Sequence, residues 1–193
     1  MDPGDADRRL LFCHWHLEQL RTNDTFGRNV IWSDECYFSS ARIFNRHNTR
    51  NWSTGNRHLL FERAQQGRFG VGVSCFILGR HIAYRIYEGG LTAPRYLHIL
   101  EEVIPELLDN VPLARYNTIY LQQDGAPSHN SGLLRPFLEN NFPQRWIGTN
   151  GPVRWPPRSP DHSILDFFYG DIWKTKFIKQ DINRSRNFER QSI

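Results

Sequence analysis

Lysine is scarce in this chain: three stand against twenty-one arginines. Cysteine is nearly as sparse. Cys13, Cys36 and Cys75 are odd in number, widely spaced and form no Cys-x-x-Cys pair, which argues against a disulfide framework and a structural zinc site and leaves three reduced thiols. No apolar run approaches the roughly 18 residues that a membrane span needs, and the opening MDPGDADRRL has no apolar signal-peptide core. A soluble, intracellular protein is therefore expected. Internal repeats and low-complexity linkers are missing too.

What the chain does have is aromatic bulk. Six Trp, thirteen Phe and seven Tyr sit within a 39% hydrophobic composition at a net charge of only +4, a balance that folds rather than staying disordered. The 193 residues suit one domain, which at this size buries roughly 70% of its unfolded surface. Charge is uneven along it. Residues 1–144 hold fifteen basic and fifteen acidic side chains, whereas residues 145–193 hold nine and five. Arginine favours planar, bidentate contacts to phosphate, so the composition permits nucleic-acid binding; a solvated basic face is the commoner explanation of such a bias.

Hydrophobic spacing organises the rest. Leu10, Leu11, Trp15, Leu17 and Leu20 predict a short amphipathic helix over residues 8–21. Strand formers predict strands over residues 29–39, 69–78 and 81–87, the last two joined by a tight Gly79-Arg80 turn. A helix is expected from Pro94, with Tyr96, Leu97, Leu100, Val103, Ile104, Leu107 and Leu108 on one face and Pro105 in its last turns. A strand over residues 117–123, a helix over 128–141, a short strand over 145–147, the loop WPPRSP at residues 155–160 and a helix over 163–178 complete the order. This is an α/β pattern: a mixed five-stranded sheet, three antiparallel strands first and then parallel ones, with helices on both faces. Residues 1–28 are assigned to an N-terminal linker helix region, 29–178 to the domain and 179–193 to a frayed basic tail.

Three carboxylates stand out. Asp34, in IWSDECYF, is a charge inside an apolar strand, costly unless paired or bound to a cation; taken alone, a satisfied structural Asp is the commoner reading. Glu35 points to the opposite face, so only one of the two can join a given site, and Asp34 is chosen. Asp124, in LQQDGAPSH, lies where a strand gives way to a loop, the place where open α/β sheets put ligands, although an Asp-Gly turn alone gives the same pattern. In RSPDHSILDFF, Asp161 suits a helix cap, while Asp166, between Leu165 and Phe167, suits a ligand. Hard oxygen donors of this kind select Mg²⁺ or Mn²⁺. Two such ions would activate an attacking oxygen and stabilise a leaving one at a phosphodiester.

These blocks also carry a resemblance. WSDECYF, DGAPSH and WPPRSPD followed by a carboxylate five positions later resemble the three catalytic blocks of mariner-type transposases, in order. RYLHILEEVIPELL and RWIGTNGPVRWPP are similar to segments of insect mariner-like elements, so the likeness runs from about Arg8 to Ile178. It implies a ribonuclease-H-like fold and a catalytic, metal-binding triad of Asp34, Asp124 and Asp166. It further implies Mg²⁺ or Mn²⁺-dependent cleavage and transfer of DNA strands, transposon ends as partner, a possible homodimer and a nuclear place of action. His129 matches the histidine that follows the second Asp, a DNA-phosphate contact or a helix-start hydrogen bond; Arg154 and Arg158 become candidate phosphate contacts. Family members have Leu and Pro where this chain has His162 and Ile164, so the turn that aims the third carboxylate is expected to differ. The stretch before Asp34 is too short for the paired helix-turn-helix modules that recognise transposon ends, and a truncated copy is expected.

Three functions compete on these grounds. The first is a transposase catalytic domain, the second a noncatalytic remnant that serves as a DNA-binding module, and the third an unrelated metal-dependent phosphohydrolase acting on small phosphate esters.

Overall fold

The computed structural model of the chain describes residues 4–39, 70–109, 111–157 and 159. Helix α1 (Asp5–Thr22) leads through a 3-10 turn at Phe26–Asn29 into strand β1 (Val30–Ser39), followed by β2 (Gly70–Leu78) and β3 (His81–Glu88). Then come α2 (Ala93–Leu108), the single turn α3 (Leu113–Tyr116), β4 (Tyr120–Gln122), α4 (Arg135–Asn141), β5 (Trp146–Gly148) and β6 (Val153–Arg154). The predicted helix over residues 163–178, with Asp161 at its start, and the tail 179–193 lie outside the described residues.

The six strands form one sheet in the order β3-β2-β1-β4-β5-β6. β1, β2 and β3 are antiparallel neighbours, and β4, β5 and β6 continue from β1 in parallel. The mixed sheet expected from the strand order is therefore present, with one strand more than five: Val153–Arg154 pairs with β5, and two residues are too few to show a period in sequence. Gly79 takes the left-handed φ of 60° that the β2–β3 turn requires, which sets Leu78 opposite His81.

Strand alternation divides the apolar residues between two layers. On one face, Ile31, Phe76 and Leu121 meet Tyr96, Ile99, Leu100, Val103, Ile104 and Leu107 of α2 together with Leu134 and Leu138. Those α2 residues recur every three or four positions, the stripe a helix needs to lie on a sheet, and each is worth about 1.5–3 kcal/mol relative to exposure. On the other face, Val30, Trp32, Ile77 and Ile147 pack with Phe12, Phe26 and Trp155. Phe12 lies edge-on to Trp155 at 5.1 Å, and His16 stacks on Trp32 at 5.9 Å, so α1 covers the sheet here. Helices thus flank both faces, α1 on one and α2 with α4 on the other.

One helix is shorter than its sequence suggests. Residues 128–141 were expected to be helical throughout, but Gly132–Leu134 form a 3-10 turn and the α-helix starts at Arg135. The preceding residues are held by other bonds, described next.

Candidate active site

β1 and β4 run side by side, with Val30, Ile31 and Trp32 opposite Tyr120, Leu121 and Gln122. Two residues beyond the last pair on each strand come Asp34 and Asp124. Where the backbone ladder stops, side chains take over: the Ser33 hydroxyl donates to the Gln122 carbonyl at 2.7 Å, and the Gln122 amide oxygen accepts from the Ser33 N–H at 3.3 Å. Beyond that point β4 becomes a loop. Asp124 Oδ1 accepts from the Ala126 N–H at 2.9 Å, an Asx-type turn. The His129 N–H donates to the Ala126 carbonyl at 3.0 Å, and the Asn130 amide donates to the Gly125 carbonyl at 3.0 Å. These bonds hold residues 124–130 in a compact turn and delay the following helix.

Asp34 and Asp124 line one groove of about 960 Å³. Its first wall is α1, through Arg8, Leu11, Phe12 and Trp15; its second is the segment from Thr149 to Pro157, including Arg154. Trp155 and Pro156 are buried, and the Trp155 N–H donates to the Gly148 carbonyl at 3.0 Å, so the WPP segment is fixed at the groove edge. Arg154 is exposed and lines the groove. Arg158 and Asp166 lie outside the described residues. Asp34 accepts the Glu35 N–H at 2.9 Å.

His129 sits on the other side of Asp124. Its side chain has no exposed surface, its Nδ1 lies 2.7 Å from Asp124 Oδ1, and its Nε2 lies 3.3 Å from Glu35 Oε2. Tyr96 covers the ring at 4.1 Å between centroids. Burial by itself lowers the His129 pKa, but the hydrogen bond it donates to Asp124 and the nearby Glu35 carboxylate outweigh this and raise the value from 6.5 to about 9. At neutral pH the ring is therefore an imidazolium that donates to Asp124. Burial in turn raises the Asp124 pKa, and the bonds from His129 and from the Ala126 N–H reverse that and hold it below the usual carboxylate value. With no exposed ring surface, His129 acts on anything in the groove through Asp124.

Glu35 is the residue that sequence reasoning set aside. Strand alternation does send Asp34 and Glu35 to different faces, but Asp124 lies past the end of its strand, where it shares the groove with Asp34 and comes near Glu35 through His129. Ligand atoms of Glu35, Asp124 and His129 lie within 4.8 Å of one another, as in groups that hold metal ions. Here the imidazolium already supplies positive charge between the two carboxylates. Asp124 keeps about half its side chain exposed and, with Asp34, presents the hard oxygen donors that suit Mg²⁺ or Mn²⁺ to the groove.

A mixed sheet of this order, flanked by helices on both faces and carrying one carboxylate within a central strand and another just past the end of its parallel neighbour, is the ribonuclease-H-like arrangement. Among solved structures, its fold is that of the catalytic domain of the Mos1 mariner transposase. The chain is similar to the Mos1 mariner paired-end complex with Mn at a TM-score of 0.67 and 16% identity, over 91% of this chain and 49% of that one. It matches the Mos1 strand transfer complex at 0.63 and 17% over 86% and 46%, and the isolated Mos1 catalytic domain at 0.59 and 16% over 86% and 68%. The chain thus spans about half the length of the transposase chains in those complexes. No protein-family model and no curated protein matches it.

Proposed function

We propose that this domain catalyses divalent-metal-dependent cleavage and joining of DNA strands, as the catalytic part of a cut-and-paste transposase. The observation that carries this function is the placing of Asp34 and Asp124 at equivalent positions past the paired ends of two adjacent parallel strands, both on one groove with Arg154 at its edge. Asp166, the third carboxylate of the mariner-like motif, completes the proposed set. The Mos1 structures, solved as a paired-end complex with Mn and as a strand transfer complex, support this reading.

When bound, Mg²⁺ or Mn²⁺ neutralises charge at the scissile phosphate and activates the attacking oxygen. The side chains set the rest. Asp34, within β1, and Asp124, just past β4, would hold the cations from two adjacent strands. His129 keeps Asp124 ionised and fixes its rotamer. Arg154 engages a flanking phosphate, positioning the strand without reading its sequence. Attack by water on phosphorus breaks the P–O3′ bond and leaves a 5′-phosphate and a free 3′-hydroxyl; attack by that hydroxyl on a second phosphodiester forms the joining P–O bond, breaks the P–O3′ bond there and releases the target strand's 3′-hydroxyl.

The test is nicking of supercoiled plasmid by the purified chain in Mn²⁺ or Mg²⁺, beside Asp34→Asn, Asp124→Asn and Asp166→Asn. Cleavage that needs the metal and disappears in all three variants is the expected result. Folded protein that binds DNA but never cleaves it would establish the noncatalytic DNA-binding module instead. Cleavage of small phosphate esters but not DNA would point to a phosphohydrolase.

A further inference from the structure

Glu35 touches nothing in the groove, yet it is only 15% exposed at its side chain. A carboxylate placed there without a task is expensive. Its Oε1 and the Nε2 of His129 are both buried without a hydrogen-bond partner among the described residues, so the 3.3 Å approach between Glu35 Oε2 and that Nε2 is what answers the charge on each side. The ring between them has little freedom. Tyr96 lies over its face, its backbone N–H is bound to the Ala126 carbonyl, and its carbonyl accepts from the Gln123 amide at 3.3 Å. Turning the ring would break the 2.7 Å contact to Asp124 and leave Nδ1 unpaired in the core.

We propose that Glu35 is a positioning residue for Asp124: it holds the His129 ring from behind so that Nδ1 fixes the Asp124 carboxylate facing the groove. The two carboxylates of the Asp34-Glu35 pair thereby serve one site from opposite faces of the sheet, Asp34 directly and Glu35 through an imidazole. Partners that orient a ligating carboxylate in this way typically change metal affinity 10–100-fold when removed. The competing role for the same three residues makes Glu35 itself a ligand beside Asp124. The two roles differ in what His129 must do. Both ring nitrogens already face carboxylates, leaving neither for a cation, and a relay fails once the ring is gone.

The relay rests on Asp124 being a metal-binding carboxylate, and the experiment separates the two. Mn²⁺ affinity is measured from the electron paramagnetic resonance of free Mn²⁺, with the purified chain, Asp124→Asn, Glu35→Gln, Glu35→Asp, His129→Asn and the double variant Glu35→Gln/His129→Asn, each checked for native circular dichroism. An Asn amide at position 129 can still reach Asp124 but not Glu35. Expected are a large loss in Asp124→Asn, about tenfold weaker binding in Glu35→Gln and in the shortened but still charged Glu35→Asp, and no further loss when Glu35→Gln is added to His129→Asn. Glu35 variants that bind as the parent does, with Asp124→Asn defective, overturn the relay alone. Full additivity in the double variant also overturns it and makes Glu35 a direct ligand. Undiminished binding by Asp124→Asn overturns the metal-site assignment itself, and the relay with it.

Discussion

The His129 ring donates through Nδ1 to the Asp124 carboxylate across 2.7 Å, and the two groups shift each other in opposite directions. Asp124 is held below the usual carboxylate range, and His129 is pushed up to about 9. The carboxylate that faces the groove is therefore kept ionised by a cation built into the core. This arrangement fixes a charge state, and it makes the stability of the domain depend on pH in a defined window.

The sign follows from linkage. A histidine raised in the folded state stabilises fully below its ordinary value of 6.5, and that stabilisation is lost as the pH climbs through about 9. The Asp124 contribution runs the other way, present above its ordinary value of 3.8 and lost as acid protonates the carboxylate. Urea midpoints measured from pH 6 to 9.5 are expected to fall by the equivalent of at most about 3 kcal/mol, and His129→Asn should flatten that fall. A parent midpoint that stays level across this window would mean His129 is neutral in the fold.

Arg154 gives the groove a cation at its open edge. Its replacement by Ala is expected to weaken DNA binding to a similar degree for unrelated sequences, because a phosphate contact carries no base information. The slope of log affinity against log salt should shrink by about one unit. Fluorescence anisotropy with two unrelated duplexes over a salt series checks both points. An unchanged slope would remove Arg154 from the phosphate-binding surface.

Much of the fold was legible because burial imposes its own period. Val30, Ile31 and Trp32 identify β1, and the stripe from Tyr96 to Leu107 identifies α2, since both are dictated by which face must leave water. β6 was not legible, because a two-residue strand has no period. The late start of α4 was missed for a chemical reason: residues 124–131 are spent on bonds to Asp124, Ala126 and Gly125, and such local side-chain partners compete with helix. The site was partly legible as well. Two of the expected carboxylates, Asp34 and Asp124, line one groove. The approach of Glu35 to His129 was hidden, because alternation separates neighbours on a strand but is silent about a loop residue that folds back beside one of them.

Cys75 lies opposite Asp34 on β2, close enough to the groove to invite suspicion of a reactive thiol. Burial, with added repulsion from Cys36 and Asp34, raises its pKa to about 12. At pH 8 only about one molecule in ten thousand would carry the reactive thiolate. Iodoacetamide labelling followed by peptide mapping should leave Cys75 unmodified in the folded protein and label it readily in urea. Rapid labelling in the fold would show that the sheet opens near Asp34.

Phe12 links stability to the groove. Its ring is 4% exposed and meets Trp155 edge-on at 5.1 Å, so it joins α1, which forms one wall, to the segment that forms the other. Much of the remaining α1 surface is polar or exposed, with Leu10, Leu11 and Leu17 each more than half exposed, and few other buried side chains fasten it. Phe12→Ala is expected to cost about 3–5 kcal/mol, read as a lower urea midpoint, and to weaken DNA binding by freeing the wall that carries Arg8. The two effects separate under conditions where the variant is still folded. Weaker binding there makes α1 a working wall of the groove, whereas unchanged binding by the folded variant confines the helix to covering the sheet.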